Sequence, residues 1–211
     1  MKDPNTTVFK KLLGLLSVVR GYNIIILVTA QYLAAIFIFS DVKKVKPVLF
    51  DWHLLFLVLS TVCVVAAGYI INNFYDVKAD KINRPLKYGI DTFIGQETKL
   101  SLDFFLNFMG VGFGLLVSWK AALFFSVYIF GIWFYSHKLK KYPLLGLTSA
   151  TILTILPFFV IFIHYKNFSK VIFVHAFFLF FVIMIRELIK DLENIQGAIV
   201  NNYKTFPVAY G

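Results

Sequence analysis

The stretch NNFYDVKAD, from Asn72 to Asp80, directly follows a membrane-length apolar run and carries two amides and two carboxylates. Asn72, Asp76 and Asp80 are four residues apart, so on a helix each side chain is rotated only about 40° from the last. Asn73 lies near that face, and the set extends along about 12 Å of the helix axis. Carboxylates this close repel each other unless a cation joins them. Magnesium suits such a set, because it takes one or two carboxylates and completes its shell with water and phosphate.

Basic residues follow the same stretch and favour a phosphate group as the partner of that cation. Lys78, Lys81 and Arg84 would supply positive charge to the rest of the phosphate. The alternative is a solvated helix end, in which Asp80 pairs with Arg84 and Asp76 pairs with a nearby lysine. Two amides and two acids in register at the end of a membrane span favour the metal site over those isolated pairs.

A second acidic cluster, RELIKDLENIQGA, ends another apolar segment. Glu187 and Asp191 are four residues apart and share a helix face, while Arg186 and Lys190 lie on an adjacent face. Two acidic helix ends that face one another could hold a diphosphate through bridging Mg²⁺ ions. A ladder of ion pairs beside the membrane is the alternative, and this cluster alone does not decide between the two.

Two further polar groups stand at the ends of apolar segments. The stretch YSHKLKKYP offers a phenol, Tyr135, followed by the three lysines Lys138, Lys140 and Lys141. A basic turn on the cytoplasmic side would explain these lysines without any ligand. Arg20 and Asn23, at the start of the first apolar segment, form a weaker signal of the same kind.

These polar groups must be positioned by helices that cross a membrane. Hydrophobic residues make up 59% of the 211 residues and charged residues 15%, with a mean hydropathy of +0.77. A soluble domain of this size needs more charge on its surface, and a β-barrel would show short alternating segments instead. The sequence therefore predicts an all-α integral membrane protein, with a single transmembrane domain over residues 1–211 and six spans at about 22–40, 53–72, 101–119, 121–136, 144–163 and 171–189.

The distribution of lysine and arginine predicts the orientation of these spans. With six spans, the N-terminus, the loops at 73–100 and 137–143 and the C-terminal tail share one side, which holds 15 of the 21 basic residues. This excess predicts a multi-pass protein of the cell (inner) membrane with both termini in the cytoplasm. The net charge of +10 then reflects membrane topology, so nucleic acid is not expected as a partner.

The segment before the first span is amphipathic and predicts an interfacial helix. One face carries small and polar residues, namely Lys10, Gly14, Ser17 and Gly21. Another face is apolar and carries Phe9, Leu12, Leu13 and Leu16. Such a helix is expected to lie along the membrane surface and not to cross the membrane.

In order and spacing, these motifs resemble those of the UbiA superfamily of intramembrane prenyltransferases. That family carries N-D-x-x-D-x-x-x-D after its second span, often followed by Arg-Pro, and this chain has NNFYDVKAD and then Arg84 and Pro85. An early Arg-x-x-Asn is matched by Arg20 and Asn23, and a Y-x-x-x-K-type element by Tyr135 and the lysines after it. The second acidic motif of the family, K-D-x-E-D-x-x-G-D and then K-T-L-P, corresponds to KDLENIQGA and KTFP.

The resemblance implies a UbiA-like helical bundle and a Mg²⁺-dependent transfer of a polyprenyl group from its diphosphate to an acceptor within the membrane. It implies catalytic roles for Asp76, Asp80 and Asp191. Metal ligands would be Asn72, Asp76, Asp80, Glu187 and Asp191. Contacts to the diphosphate would come from Asn72, Asn73, Arg84, Lys140, Tyr135, Arg20 and Asn23. The partners implied are polyprenyl diphosphate, an acceptor small molecule or lipid precursor, and membrane lipids.

The chain departs from the family pattern at Asn73, Asn194 and Ala198, where acids are common. The second metal site would then be weakened, or held by Asp191 together with Glu187 or Glu193. About six of the usual nine spans are recognisable in the sequence. The chain is therefore expected to represent the N-terminal two thirds of the family fold, as a fragment or as a reduced member.

The resemblance leaves the acceptor and a second class of function open. An aromatic acid, a naphthoate and a glyceryl phosphate are all compatible, and the Lys-Asp-x-Glu and Lys-Thr-Phe-Pro forms lean toward relatives that use glycerol lipids. A non-catalytic membrane binding protein or an ion carrier could use the same acidic mouth. A carrier needs polar residues through the full depth of the membrane, and the last two spans offer few beyond Thr148, Ser149, Thr151 and Thr154.

Overall fold

The computed structural model describes residues 4–40, 45–167 and 169–211, and within these the chain forms α-helices without any strand. In chain order the helices are α1 (Pro4–Val18), α2 (Gly21–Ala34), α3 (Val45–Leu49), α4 (Trp52–Tyr75), α5 (Val77–Asn83), α6 (Pro85–Asp91), α7 (Gln96–Val117), α8 (Trp119–His137), α9 (Pro143–Tyr165), α10 (Lys170–Glu193), α11 (Ile195–Val200) and α12 (Phe206–Tyr210). A π-helical segment, Ala35–Phe39, extends α2, and a 3₁₀ turn, Leu139–Lys141, connects α8 to α9. Three of the lysines counted for the predicted orientation, Lys2, Lys43 and Lys44, lie outside the described residues.

Five helical segments of the described chain have the length and hydropathy of membrane spans. They are Gly21–Phe39, Trp52–Tyr75, Gln96–Val117, Pro143–Tyr165 and Lys170–Glu193, and each agrees within a few residues with a predicted span. The remaining prediction, at 121–136, corresponds to α8, a 19-residue helix that is not among the five. The all-α membrane-bundle architecture is thus confirmed.

The long helices alternate in direction, so the bundle has two chemically different ends. At one end, which we call the polar end, α4, α8 and α10 finish and α2, α7 and α9 begin. Contacts between distant segments define this end, because Lys140 after α8 bonds to Asn72 of α4 and Asn83 of α5 bonds to Asn194 after α10. At the opposite end, Asp51 caps α4 and its carboxylate lies 3.3 Å from His164 Nε2 of α9. All the predicted motifs lie at the polar end.

The core of the bundle surrounds α4, which packs against α2, α7, α8 and α9. Its polar groups are paired across helices. Gln31 Nε2 donates to the carbonyl of Pro157 at 2.8 Å and to Thr61 Oγ1 at 3.2 Å. Pro157 has no N–H, so the carbonyl of Leu153 loses its helical donor, and the Tyr128 hydroxyl donates to it at 3.0 Å instead. The fully buried apolar side chains include Leu54, Leu57, Ile70 and Phe125.

The helix that carries the first motif is interrupted at a single residue. α4 ends at Tyr75, Asp76 adopts φ −94° and ψ 7°, and α5 begins at Val77. The hydrogen bonds from residue i to residue i−4 nevertheless continue, since the Asp76 N–H donates to Asn72 at 3.0 Å and the Asp80 N–H donates to Asp76 at 2.8 Å. Asn72, Asp76 and Asp80 therefore keep the four-residue helical spacing from which their shared face was predicted.

The first helix, α1, lies against α6 with its small and polar face inward. An added Cβ on Gly14 would lie 3.1 Å from the Cβ of Phe93, so a side chain there would crowd the contact. Ser17 Oγ donates to Asp91 of α6 at 2.6 Å. The apolar face points outward, with Phe9, Leu12, Leu13 and Leu16 all exposed. This is the arrangement expected of an interfacial helix.

Candidate functional site

Lys140 joins the first acidic motif to the turn after α8. Its ammonium donates to Asn72 Oδ1 at 3.2 Å and forms an ion pair with the carboxylate of Asp76. The other Asp76 oxygen, Oδ1, is buried and accepts no hydrogen bond from the described residues. The same ammonium lies 5.9 Å from the ring centroid of Tyr203, and burial, together with the charge of Asp76, raises the pKa of Tyr203 to about 12. The structure thus brings three of the predicted residues into contact and leaves one carboxylate oxygen available.

Asp80 lies one turn beyond Asp76, among basic residues from three other segments. Burial raises the pKa of Asp80, and the negative charge of Asp76 raises it further. Lys87, Lys140 and Arg20 act in the opposite direction, because their positive charges favour the carboxylate. Asp80 is therefore a partly buried acid at the point where α5, α6, the start of α2 and the end of α8 converge.

The second acidic cluster lines a narrow cavity at the polar end and is connected to the first cluster through Lys140. Glu187 is only 6% exposed and accepts from Lys190 Nζ at 2.6 Å and from Arg186 Nη1 at 3.4 Å. Asp191, one turn later, forms no ion pair with the described residues. Lys140, which pairs with Asp76, also faces this cavity, so it separates the two sets of carboxylates. The cavity is lined by Tyr135, Lys140, Glu187 and Asp191, among others.

A larger cavity, which we call the basic pocket, opens beside these acids between α2, α6 and α10. Its volume is about 580 Å³. Asn23 and Glu193 also line it, and an apolar wall is formed by Val182, Ile185 and Ile189 of α10. Several cations around one carboxylate attract an anion that carries more than one negative charge. The five cationic side chains of the basic pocket are Arg20, Arg84, Lys87, Arg186 and Lys190.

Tyr69 of α4 supports the two residues that begin α2. Arg20 has φ 52° and ψ 55°, the left-handed conformation that non-glycine residues rarely adopt, so surrounding contacts must hold it. Its guanidinium carbon lies 5.0 Å from the ring centroid of Tyr69, a distance typical of a cation–π contact. Asn23 Nδ2 donates to the hydroxyl of Tyr69 at 3.4 Å. Tyr69 therefore contacts both members of the predicted Arg-x-x-Asn pair, and both line the basic pocket.

Asn73 points away from the basic pocket into a buried network centred on Asp91. The carboxylate of Asp91, which is 1% exposed, accepts from Asn73 Nδ2 at 2.9 Å, Ser17 Oγ at 2.6 Å and Lys87 Nζ at 2.5 Å. Asn73 Oδ1 accepts from Lys99 Nζ at 3.0 Å. The structure therefore does not bring Asn73 together with the other predicted diphosphate contacts. Its connection to them is indirect, because Asp91 also holds Lys87, which lines the basic pocket.

A contact between α5 and α11 fixes the two acidic clusters relative to each other. Asn83 Nδ2 donates to the carbonyl of Asn194 at 3.3 Å, and the Gly197 N–H donates to Asn83 Oδ1 at 3.0 Å. A Cβ on Gly197 would lie 2.2 Å from Asn83 Nδ2. Glycine is therefore needed at this position for the close approach of the Asn83 side chain.

Gly197→Ala should separate α5 from α11 and destabilise the polar end. The new methyl group would displace the Asn83 side chain and remove two hydrogen bonds, a loss of about 1–3 kcal/mol of stability. Thermal unfolding in detergent, followed by circular dichroism, measures the change. Gly112→Ala is the matched control, because a Cβ there meets nothing within 4 Å and alanine is the better helix former. Equal melting temperatures for the two variants would contradict this role of Gly197.

The oxygen ligands at the polar end fit a magnesium ion that keeps part of its hydration shell. Among the described residues, no group of three or more acidic, histidine or cysteine side chains is close enough to enclose a metal ion. Mg²⁺ does not need such a cage, because it is held by one or two carboxylates with water and substrate phosphate. The unpartnered Asp76 Oδ1, the Asn72 amide oxygen and the Asp80 carboxylate form a donor set of that kind.

Some residues of this site were not predicted from the sequence. Lys87 follows Arg84 by three residues at the start of a short helix, so this i, i+3 spacing could have placed both on one face. Arg186 and Lys190 were recognised only as neighbours of Glu187, without a role at the pocket. Asp91 follows Lys87 by four residues, a spacing that could have indicated their ion pair, whereas its partner Ser17 lies 74 residues away in the chain.

The chain is similar to a known protein family and to several individual proteins. The chain matches the UbiA prenyltransferase family over residues 32–211. It is 32% identical over 160 residues to digeranylgeranylglyceryl phosphate synthase from Thermococcus gammatolerans, covering 75% of this chain and 56% of the relative. The enzyme of the same name from Saccharolobus solfataricus is 31% identical over 155 residues, with coverages of 70% and 53%. The chain thus spans about half the length of these two relatives. The Methanobrevibacter smithii protein is 28% identical over 203 residues, with coverages of 92% and 68%.

Two solved structures share the arrangement of the helices. A UbiA homologue from Archaeoglobus fulgidus bound to GPP and Mg²⁺ superposes with a TM-score of 0.75 at 16% identity, covering 94% of this chain and 69% of that one. A structure from work on digeranylgeranylglyceryl phosphate synthase in membranes superposes with a TM-score of 0.70 at 22% identity, with coverages of 95% and 70%. These likenesses establish the fold of the bundle that positions the polar end.

Proposed function

The chain belongs to the UbiA prenyltransferase family, and from this premise we propose that it transfers a prenyl group from a prenyl diphosphate to an acceptor within the membrane. The basic pocket carries the proposal, because five cationic side chains and only one acidic side chain, Glu193, line it beside an apolar wall. The excess of lysine and arginine at the polar end supports a cytoplasmic orientation for that end.

A second cavity supplies room for the prenyl tail. It has a volume of about 440 Å³ and lies between α2, the π-helical segment, α9 and α10, toward the opposite end of the bundle. Its lining is apolar apart from His175 and includes Phe37, Phe158 and Leu179. Both cavities are bounded by α2 and α10, and Ile189 of the basic pocket lies about 20 Å along the α10 axis from Ala176 of the apolar cavity. A ligand with a charged head and a long apolar tail suits this arrangement.

The reaction would begin with heterolysis of the bond between the first prenyl carbon and the diphosphate oxygen. The electron pair leaves with the diphosphate, so negative charge grows on the group that faces Arg20, Arg84 and Lys87. Cations fixed where charge develops stabilise the transition state more than the ground state. The allylic cation is then captured by an acceptor oxygen, which forms a carbon–oxygen bond and releases its proton.

The acids and the lysine at the polar end would organise this step. A magnesium ion held by Asp76, Asp80 and Asn72 would neutralise charge on the departing diphosphate when bound. Lys140, which contacts Asp76 and Asn72, keeps these oxygens in place and sits between the two acidic clusters. Asp191 would add a carboxylate to the site from α10. Glu187 is already paired with Lys190 and Arg186 and holds these two cations in place.

The acceptor we propose is a glyceryl phosphate bearing a first prenyl chain. This choice rests on relatives that are named digeranylgeranylglyceryl phosphate synthase and on the basic pocket, which could accommodate the phosphate of the acceptor as well. An aromatic acid lacks a phosphate group for these cations to bind. Because the chain spans about half the length of these relatives, the activity itself is part of the proposal.

The test is a transfer assay with the full chain in nanodiscs, Mg²⁺ and labelled geranylgeranyl diphosphate. Geranylgeranylglyceryl phosphate and 4-hydroxybenzoate are offered as separate acceptors, with Asp76→Ala and Asp191→Ala as variants. The proposal expects a labelled product with the glyceryl phosphate that both variants lose. Product with the aromatic acid alone would overturn the choice of acceptor. Retention of the labelled diphosphate without product from either acceptor would instead favour the non-catalytic binding protein.

A further inference from the structure

A separate cleft opens on the side of the bundle between α7 and α8, with α4 as its floor. Its volume is about 410 Å³, and none of its lining residues belongs to the basic pocket or to the acidic motifs. Asp103 and Asn107 of α7 face Ile129 and Trp133 of α8 across it. The proposed transfer reaction makes no use of this space.

Close packing elsewhere along α7 and α8 explains where the cleft lies. The two helices approach each other tightly at Gly114, where an added Cβ would lie 3.3 Å from the backbone of Ala122. Nearer the polar end, the small residues Gly68 of α4 and Ser126 of α8 line the gap. Gly68 contributes no side chain to this gap, and a Cβ added there would lie 3.0 Å from Ile132 Cγ2.

Asp103 is the chemically unusual residue of this cleft. Only 7% of it is exposed, yet its Oδ1 has no hydrogen-bond partner among the described residues. Asn107, one turn later on α7, is the neighbour that hydrogen-bonds to it. None of the ion pairs found in the described residues includes Asp103. A buried carboxylate without a cation is costly, so the cleft is complementary to a positive charge.

The remaining walls of the cleft favour a cation that carries an apolar body. The rings of Phe104, Phe130 and Trp133 line it, and each is substantially exposed. Aromatic faces attract an ammonium group electrostatically. Val64, Ile71 and Ile129 provide the apolar surface for a hydrocarbon chain.

We propose that this lateral cleft binds a membrane amphiphile through a protonated amine that pairs with Asp103. The aromatic rings surround the ammonium, and the alkyl chain lies along α4 and α8. A free alkylamine and the ethanolamine head of a phospholipid share this chemistry. A neutral alcohol of the same length lacks the charge and binds more weakly.

Trp133 offers a direct readout, because it lines the cleft while Trp52 and Trp119 are exposed at the opposite end. In a Trp52→Phe, Trp119→Phe background in phosphatidylcholine nanodiscs, brominated dodecylamine and brominated dodecanol are titrated and quenching of Trp133 is followed. The expected result is saturable quenching by the amine, at a concentration ~10-fold below that needed for the alcohol. Asp103→Asn, which preserves side-chain shape, should raise the half-saturating amine concentration ~10-fold and make the two probes equivalent.

The outcomes separate binding from simple partition into the disc. Equal quenching by amine and alcohol in the unmodified cleft, or an Asp103→Asn variant that quenches normally, would overturn the proposal. If Asp103→Asn does not fold, Ser126→Phe, at an exposed position of α8, is the second variant. Its larger side chain fills the cleft and should remove the saturable quenching of Trp133. Saturable quenching that persists in Ser126→Phe would also overturn the proposal. Phosphatidylethanolamine is then added as a competitor of the brominated amine. If it reduces the quenching of Trp133, the source of the amine is a lipid headgroup. If it does not, the source is a free amphiphile.

Discussion

Asp76→Asn should lower the rate of prenyl transfer by ~100-fold or more at saturating substrate, the loss expected for one preorganised group that acts on developing charge. The substitution removes the negative charge from the residue that holds Lys140 and offers a free buried oxygen, Oδ1, to a cation. Asparagine has nearly the same shape, so packing at the end of α4 is preserved. The measurement is the rate of labelled product formation as a function of Mg²⁺ concentration. The half-saturating Mg²⁺ concentration should rise together with the loss of rate.

Asp51→Asn is the matched control for that experiment. It makes the same chemical change at the opposite end of the bundle, where Asp51 caps α4 and contacts His164. Asparagine is also a good N-cap residue, so this variant should transfer prenyl groups at close to the normal rate. If Asp76→Asn and Asp51→Asn lose activity equally, the Asp76 effect is one of folding. A normal rate and normal Mg²⁺ dependence in Asp76→Asn would remove Asp76 from the catalytic site.

Asp91→Ala should be the most destabilising single change at the polar end, with a loss of about 3 kcal/mol. The carboxylate is buried and accepts hydrogen bonds from three segments, through Ser17, Asn73 and Lys87. Its removal would leave the Lys87 ammonium without its close anion and would remove the hydrogen bond that Ser17 of α1 donates to α6. Denaturant titration in mixed micelles measures the loss of stability. The KM for prenyl diphosphate should also rise, because Lys87 would no longer be held at the basic pocket.

Two variants check the origin of this effect. Asp91→Asn keeps one acceptor oxygen and similar volume, so its stability should fall between that of Asp91→Ala and the unmodified chain. Glu97→Ala removes an exposed acid from the first turn of α7 and should change stability little. Equal stabilities for Asp91→Ala and Glu97→Ala would show that the network around Asp91 contributes nothing to the fold.

The bundle and the acidic faces of the site could be predicted because they depend on local patterns. Apolar runs of membrane length fix the long helices, and four-residue spacing fixes the shared face of Asn72, Asp76 and Asp80. The amphipathic pattern of α1 also predicted its two different faces, although not which of them packs against α6. The backbone break at Asp76 carries no sequence signal of this kind, and it leaves the helical hydrogen bonds in place.

Other features depend on partners that only the tertiary structure brings together. Asn73 was placed near the shared face, but consecutive helix residues differ by about 100°, and this rotation directs Asn73 to Asp91 and Lys99. The segment that carries Lys87 and Asp91 is short and polar, so hydropathy could not indicate how it folds back. The pairing of Glu187 within α10 was likewise one of two open alternatives in the sequence.

The five cations of the basic pocket have a thermodynamic consequence. Carboxylates pair with three of them, since Lys87 contacts Asp91 and both Arg186 and Lys190 contact Glu187, whereas Arg20 and Arg84 form no ion pair with the described residues. A polyanion that binds these two arginines in the assembled pocket binds only the folded chain, which couples ligand concentration to folding by mass action. The measured melting temperature is therefore a property of the buffer as well as of the chain, and it rises with the concentration of diphosphate.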